Sequence, residues 1–382
     1  MTTMYDRLLT PPNSSFFLLG MRGTGKSSWV RTHYSTAKLF NLLNEAAYQR
    51  YLANPDVFSD ELRNLPQESW VVIDEVQRLP QLLNEVHAAI EDRKLKFALL
   101  GSSARKLRRA GVNLLGGRAV LRYMYPLLPA ELGSSFSLED TLQFGSLPLV
   151  VDSDSPRERL EGYVQLYLKE EIQAEALVRN LPGFARFLPI AALFHGQTIN
   201  IAALSRDAGV ARSTAEGYLA ILEDTLLGFR LSAFEPKLRV KERKHPKWYW
   251  FDAGVARAAK GVLGPPSPEE KGALFEGFIA MLLRAGKDLK FCDYDSISYW
   301  APASGETEVD FVIERGKEKI AIEVKTAREP NSSHMKGLRA LGELSGVSRK
   351  ILVYPGAHDR LTDDGIEVLG IDTFLKKLGS GL

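Results

Sequence analysis

Short apolar runs alternate with helical patterns through the first third of the chain. Five runs predict strands: "SFFLLG", "KLFNLL", "SWVVIDEV", "KFALLGSS" and "AVLRYMYPL". Between them, four stretches predict helices: "KSSWVRTHY", "NEAAYQRYLAN", "QLLNEVHAAIED" and "SARKLRRAG". Because nearly continuous apolar strands separated by helices are typical of a parallel sheet covered on both faces, we predict an α/β fold here.

The pattern changes twice further along the chain. Residues 138–194 are helical in pattern, without a convincing strand, which suggests a helical lid. Residues 198–227 predict a short helix, a turn at Gly209 and a longer helix, and two probable strands follow as a wing. After the linker "GPPSPEE" come a helix, four strands and a last helix. We therefore divide the chain into residues 1–132, 133–194, 195–263 and 264–382.

The stretch "GMRGTGKS" has the spacing of a phosphate-binding loop and lies between a predicted strand and a predicted helix. Glycines let such a loop point backbone N–H groups at phosphate oxygens, and the helix N-terminus adds partial positive charge. Lys26 is expected to reach the β- and γ-phosphates, and the Ser27 hydroxyl to bind Mg²⁺. The predicted ATP-binding residues are Gly20, Gly23, Thr24, Gly25, Lys26, Ser27 and Ser28.

Two further predicted strands end in polar residues. "WVVIDEV" carries Asp74, expected to hold Mg²⁺ through water, and Glu75, expected to activate the attacking water. "FALLGSS" ends at Ser102 and Ser103, which we expect to reach the γ-phosphate or that water. The alternative for the two serines is a simple turn or helix cap.

The order of these motifs resembles the AAA+ ATPases. "IDEVQRLPQLLNEVH", "LLGSSARKL" and "GGRAVLRYMYPLLPAEL" are similar to prokaryotic AAA+ ATPases whose C-terminal half is a domain of unknown function. The resemblance implies that Arg118, just before the last strand of the sheet, acts on the γ-phosphate of a neighbouring subunit. It also implies assembly into a ring, commonly of six. The alternative is a surface arginine at a strand start.

The predicted helix-turn-helix and wing carry basic residues. Arg206 and Arg212 lie at the solvent-facing start of the second helix and are expected to contact DNA phosphates. The following stretch, "PKLRVKERKHPKWY", fits a wing that tracks a phosphate backbone. Its predicted DNA contacts are Lys237, Arg239, Lys241, Arg243, Lys244 and Lys247. Alternatively, the module binds a protein partner and the basic run is a solvated loop.

The tail resembles the PD-(D/E)xK nuclease fold. Glu276 in "LFEGF" matches the acid of the first helix, Asp310 the strand acid, and Glu323 with Lys325 the E-x-K. The resemblance implies that Asp310 and Glu323 bind Mg²⁺ or Mn²⁺, that Lys325 positions a water, and that Glu276 orients the site.

The alternation along "EVDFVI" and "IAIEVKT" predicts that the polar side chains share one face of a hairpin. Four apolar neighbours are expected on the opposite, buried face: Val309, Phe311, Ile322 and Val324. The alternatives are an exposed hairpin with solvated charges, or a fold that binds DNA or a partner without cutting.

Composition narrows the function only slightly. A formal net charge of +2 over 382 residues does not by itself indicate nucleic acid, and the single cysteine, Cys292, excludes an intrachain disulfide. With no long apolar run and no signal-peptide pattern, we expect a cytoplasmic protein that does not enter membranes.

The leading hypothesis is an oligomeric AAA+ ATPase that binds and remodels DNA, branched DNA included, with a nuclease-like tail. The alternative is a nucleotide-controlled switch whose winged helix binds a protein and whose tail is a defence or stress effector.

Overall fold

Five parallel strands form the sheet predicted for the first part of the chain. The computed structural model describes residues 5–103, 115–168, 180–234, 245–302, 307–343 and 346–382. The strands are β1 (Phe16–Leu19), β2 (Lys38–Asn41), β3 (Trp70–Asp74), β4 (Lys96–Gly101) and β5 (Val120–Tyr123). Their order in the sheet is β2-β3-β4-β1-β5, and every neighbouring pair is parallel. The predicted α/β fold with a parallel N-terminal sheet is confirmed.

Both faces of the three central strands, β1, β3 and β4, are buried, which explains why these strands are almost continuously apolar. Phe17 and Leu19 of β1 join one core, whereas Phe16 and Leu18 join another. The helices described around the sheet are α1 (Lys26–His33), α2 (Glu45–Ala53), α3 (Pro55–Arg63) and α4 (Leu82–Arg93). The predicted helix "SARKLRRAG" falls largely outside the described residues.

A helical connection follows β5, as its pattern predicts. Its described helices are α5 (Pro129–Leu132), α6 (Leu138–Phe144), α7 (Pro148–Val151), α8 (Pro156–Gly162) and α9 (Leu181–Leu193). Tyr163–Leu168 continues α8 as a π-helix.

The two predicted middle helices lie, along the chain, between the first and second strands of a three-stranded sheet. The elements are β6 (Gln197–Thr198), α10 (Ile201–Asp207), α11 (Arg212–Asp224), β7 (Gly228–Leu231) and β8 (Lys247–Trp250). The strand order is β6-β8-β7, and both pairs are antiparallel. Asn200 caps α10 by accepting hydrogen bonds from two backbone N–H groups.

The tail forms a six-stranded mixed sheet preceded by a long helix. Helix α12 (Ala253–Lys260) leads into it. The tail elements are α13 (Pro268–Asp288), β9 (Ser296–Trp300), β10 (Val309–Arg315), β11 (Glu318–Val324), α14 (Lys336–Glu343), β12 (Val347–Tyr354), β13 (Arg360–Leu361), β14 (Ile366–Gly370) and α15 (Ile371–Gly379). The order is β13-β14-β12-β11-β10-β9, with β9, β10 and β11 antiparallel in sequence and β12 parallel to β11.

The expectation that Val309, Phe311, Ile322 and Val324 share one buried face of the β10–β11 hairpin is wrong for Val309. Both faces are covered, since Phe311 joins the core that contains α13 whereas Val309 joins the core that contains α14. A register irregularity in the pairing with β9, between Val309 and Val312, accompanies this change of face. As a result, Asp310 and Glu323 are each only 5% exposed and lie in a buried cluster.

The three-stranded sheet and the tail sheet are hydrogen-bonded to each other. The backbone N–H of Tyr299 in β9 donates to the carbonyl of Ser232 at 3.0 Å, and its hydroxyl donates to the carbonyl of His245 at 2.7 Å. The two sheets are therefore tied together beside the acidic hairpin. Among the described residues, every helix is too short or too polar to cross a bilayer.

Candidate functional site

The predicted phosphate loop connects the end of β1 to the start of α1. Gly25 precedes the first helical residue with φ = 90°, a left-handed conformation that glycine adopts without a steric penalty. Lys26 is buried, and its ammonium donates to the carbonyl of Gly20 at 2.7 Å and to that of Met21 at 3.1 Å. The lysine therefore closes the loop on itself, and phosphate oxygens would have to replace these two carbonyls.

An arginine that sequence reasoning missed holds the loop from behind. Arg7 donates to the carbonyl of Thr24 and to that of Tyr125, both at 2.6 Å, and pairs with Glu131 at 3.0 Å. These contacts join the phosphate loop, the segment after β5 and helix α5. Nothing in the local sequence around Arg7 signals this role, because all its partners lie 17 or more residues away.

The carboxylates predicted for metal and water lie next to the loop. Asp74 is buried at the end of β3 and lines a cavity together with Ser27, which brings the two predicted Mg²⁺ ligands to one place. Glu75 has φ = 58°, a left-handed conformation that costs a non-glycine residue about 1 kcal/mol or more. This local strain turns Glu75 away from the regular path of the strand.

Gln77 connects the two neighbouring strand ends. Its amide donates to the Glu75 carboxylate and, at 3.2 Å, to the hydroxyl of Ser102. Ser103 is also buried there. The serines predicted at the end of β4 therefore lie beside the predicted water-activating acid. Gln77 was missed, although its position two residues after Glu75, in the short 3-10 helix Val76–Arg78 that follows β3, was a usable signal.

Arg118 lies just before β5, as predicted. This is the end of the sheet where the strands begin, and the phosphate loop lies at the opposite end. Val120 pairs with Phe16 at the start of β1, whereas the loop begins after the end of β1. Arg118 is 39% exposed and forms an ion pair with Glu91 at the end of α4. Its own phosphate loop is out of reach, so a role at a phosphate requires another subunit.

The predicted DNA contacts divide into three groups. Arg212 begins α11 as predicted, whereas Arg206 lies near the end of α10 and not at the start of the second helix; both side chains are exposed. Lys237, Arg239, Lys241, Arg243 and Lys244 lie outside the described residues.

Lys247 requires a correction, because its side chain is only 4% exposed and points into the acidic cluster of the tail. In this structure it is not a surface phosphate contact. The reason is that β8 pairs within a sheet that borders the tail.

The four predicted tail residues converge, although they span 50 positions of the sequence. Lys325 pairs with one oxygen of Glu323, and Asp310 accepts a hydrogen bond from the backbone N–H of Val324 at 2.8 Å. Glu276 projects from α13 toward the same cluster and accepts a hydrogen bond from the Tyr249 hydroxyl.

A fourth acid, Glu308, completes this cluster. One carboxylate oxygen each of Glu276, Glu308 and Asp310 lies within 4.8 Å of the others. Sequence reasoning missed Glu308, although its i, i+2 spacing from Asp310 at a strand start was a usable signal.

Burial and repulsion from a neighbouring carboxylate disfavour the ionised form of two acids of the cluster, Glu276 and Glu323. Burial raises the pKa of Glu276 to about 7, and the negative charge of Asp310 contributes to the increase. Burial, again with Asp310, raises the pKa of Glu323 well above its usual range. Burial alone would lower the pKa of Lys325, but Asp310 and Glu323 outweigh it and raise that pKa. A cation in the cluster would relieve the repulsion.

The cluster fits a divalent cation by charge and by ligand type. Carboxylate oxygens are the ligands that Mg²⁺ and Mn²⁺ prefer. The buried Oε2 atom of Glu323 has no hydrogen-bond partner among the described residues. When all of them are ionised, the four carboxylates and two ammonium groups of the cluster carry a formal net charge of −2. These groups belong to Glu276, Glu308, Asp310, Glu323, Lys247 and Lys325.

Three sequence families match consecutive parts of the chain. An AAA domain matches residues 12–133, a domain of unknown function (DUF8612) matches residues 135–265, and another (DUF4143) matches residues 271–374. The N-terminal part of the chain therefore carries an AAA domain, which indicates nucleotide binding and ATPase activity.

Similar proteins extend over nearly the whole chain. Uncharacterized proteins from Mycobacterium bovis and Mycobacterium tuberculosis are each 27% identical over 369 residues, covering 94% of this chain and 80% of each relative. Among solved structures, the Aeropyrum pernix ORC1 protein in complex with DNA is 15% identical and covers 72% of this chain and 89% of its own, with a TM-score of 0.25.

Proposed function

We propose that this chain is an oligomeric ATPase that acts on DNA, with a metal-dependent nuclease centre in its tail. The observation that carries this proposal is the convergence of Glu276, Asp310, Glu323 and Lys325 in one buried cluster with an unpartnered carboxylate oxygen. Solvated surface charges would have no reason to gather where burial penalises them.

The proposed division of labour follows the three matched parts. The AAA domain hydrolyses ATP and assembles with other subunits. Residues 195–263 form a winged helix, supported by the arrangement of α10, α11 and a β6-β8-β7 sheet, and contact DNA through Arg206 and Arg212. Residues 264–382 form a PD-(D/E)xK nuclease-like domain, supported by the order of α13 and the β9–β10–β11 strands before β12.

In the proposed ATP site, each residue has its own role in binding or hydrolysis. Lys26 would exchange its two carbonyl partners for phosphate oxygens and neutralise their charge, and Ser27 and Asp74 would hold Mg²⁺. Glu75 accepts a proton from the attacking water while Gln77 fixes its carboxylate. Arg118 of a neighbouring subunit stabilises the charge that develops on the γ-phosphate.

In the tail, Asp310 and Glu323 would hold the metal, and Glu276 and Glu308 would offer further carboxylate oxygens to it. A divalent ion bound there would supply Lewis-acid chemistry toward a phosphodiester and a water. Lys325 cannot bind a metal, because an ammonium has no lone pair, so its task is to orient the water or to stabilise the pentacovalent phosphate.

The test is a cleavage assay on duplex, single-stranded and four-way-junction DNA, with Mg²⁺ or Mn²⁺ and with or without ATP. Asp310→Ala is expected to abolish cleavage and to leave ATP hydrolysis unchanged. Asp363→Ala removes an exposed acid from the same domain and should cut normally. A lack of metal-dependent product on every substrate, or equal product from wild type and Asp310→Ala, would leave the tail as a binding module.

DNA-stimulated ATP hydrolysis is the second test. Stimulation supports a DNA-acting ATPase, whereas slow turnover that DNA does not change supports the nucleotide-controlled switch that binds a protein partner.

A further inference from the structure

A lysine from outside the tail reaches into the acidic cluster. The Lys247 ammonium lies 2.7 Å from a carboxylate oxygen of Glu276 and 3.5 Å from one of Asp310, and it forms an ion pair with Glu308. These three acids are the same ones whose oxygens gather within 4.8 Å. The ammonium therefore neutralises the oxygens that a divalent cation would use.

The position of this ammonium is set by the three-stranded sheet rather than by the tail. Lys247 begins β8, which pairs with β6 and β7. Tyr249, two residues along the same strand, also donates to Glu276, as expected for alternate residues of a strand. The hydroxyl of Tyr299 fixes the chain just before β8 through the carbonyl of His245. A shift of β8 relative to α13 would therefore move the Lys247 ammonium and the Tyr249 hydroxyl together, and both would lose their hydrogen bonds to Glu276.

We propose that Lys247 is a resident cation that competes with a divalent metal for Glu276, Glu308 and Asp310, so that metal loading depends on the position of β8. This inference rests on the proposed metal centre. An ammonium hydrogen and a metal ion require the same carboxylate lone pairs, and the two positive charges repel each other at this separation. Withdrawal of β8 would free the three acids for the metal.

The test is Mn²⁺ binding by the full chain without nucleotide, followed by the electron paramagnetic resonance signal of free Mn²⁺. Lys247→Met removes the charge but keeps a similar side-chain length, and we expect it to bind Mn²⁺ at least about tenfold more tightly than wild type. Lys247→Arg keeps the charge and should bind like wild type. Tyr249→Phe removes only a neutral donor to Glu276 and should change the affinity less than Lys247→Met.

The outcomes separate this inference from the proposed function. If Lys247→Met binds Mn²⁺ as tightly as wild type or more weakly, Lys247 does not compete with the metal, but the proposed metal centre is unaffected. If neither protein binds Mn²⁺, both the metal centre and the competition are wrong. Asp310→Asn, added to Lys247→Met, should abolish the tighter Mn²⁺ binding. This result would locate the Mn²⁺ site in the tail.

A second measurement does not depend on the folding of the variant. In the wild-type protein, saturating Mn²⁺ should increase hydrogen–deuterium exchange at the backbone amides of Lys247–Trp250, because the expelled ammonium no longer anchors β8. Unchanged or slower exchange with bound Mn²⁺ would show that metal and lysine occupy the cluster together.

Discussion

Arg118→Ala tests whether the ATP site is completed by a second subunit. Val120 pairs with Phe16, and the phosphate loop begins four residues later along β1. At about 3.3 Å per residue, the loop lies roughly 13 Å beyond that level. Because Arg118 lies before Val120, no rotamer brings its guanidinium to its own phosphates. We therefore expect Arg118→Ala to lower turnover by about 10³–10⁵-fold in the assembled protein without weakening ATP binding.

Mixed assemblies give a quantitative version of this test. An active interface needs an intact Glu75 on one subunit and an intact Arg118 on the next. In a random equal mixture of Arg118→Ala and Glu75→Gln subunits, about one half of one half, or roughly a quarter of the interfaces, meet both conditions in a head-to-tail ring. Phosphate release by the mixture should therefore rise to about a quarter of the wild-type rate, although each variant alone is nearly inactive.

Two control variants separate the finger role from local structure. Glu91→Ala breaks the intrachain ion pair with Arg118 and should leave turnover intact, since exposed pairs contribute little. Arg122→Ala removes an arginine within β5, four residues after Arg118, and should also be active. The reasoning is refuted if the mixture shows no gain over its components, or if a protein that sediments as a monomer with ATP bound hydrolyses it at the wild-type rate.

Three further predictions follow from the structure. Lys26→Ala should weaken nucleotide binding, whereas Glu75→Gln should keep binding and stop phosphate release; fluorescent-nucleotide titration and a phosphate assay check both, and wild-type turnover by Glu75→Gln contradicts the assignment. Burial lowers the pKa of His195 from 6.5 to about 3, so its stabilising contribution is complete above pH 6.5 and is lost as the pH falls toward 3. At pH 5 that loss is about 2 kcal/mol, and urea unfolding should show a smaller decrease from pH 7 to pH 5 for His195→Gln than for wild type. Gly254→Ala would press a methyl group into the carbonyl of Phe144 at the end of α6 and should lower the free energy of unfolding by about 1–3 kcal/mol, whereas Gly272→Ala has open space and should not.

The N-terminal sheet was predictable because its signals are local. Each strand is a short apolar run, and burial on both faces makes the runs continuous, as Phe16 and Phe17 show by joining different cores. The position of the predicted phosphate loop between β1 and α1 follows from equally local signals, since phosphate binding requires glycines and a lysine at fixed spacing. The tail acids were predicted from a resemblance, and the structure brings them together.

What could not be predicted depends on contacts between distant segments. Lys247 lies in a basic stretch, which suggested a solvent-exposed wing, yet the pairing of β8 beside the tail buries it against acids 29 to 63 residues away. Arg7 likewise acts through partners that no local pattern indicates. The buried position of Asp310 and Glu323 was missed because alternation along a strand cannot tell whether a second helix covers the polar face.

Helix α13 gives the two centres a direct structural connection. It carries Glu276 into the acidic cluster, and the Asp288 carboxylate at its C-terminal end accepts a hydrogen bond from the hydroxyl of Tyr125, just after β5. Burial, with the charge of Asp288, raises the pKa of Tyr125 well above its usual range, so that hydroxyl remains a donor. The carbonyl of Tyr125 in turn accepts a hydrogen bond from Arg7, which also holds the phosphate loop. Any movement of the loop that displaces Arg7 therefore acts on the segment after β5 to which α13 is hydrogen-bonded, and α13 is the helix that carries Glu276 into the acidic cluster.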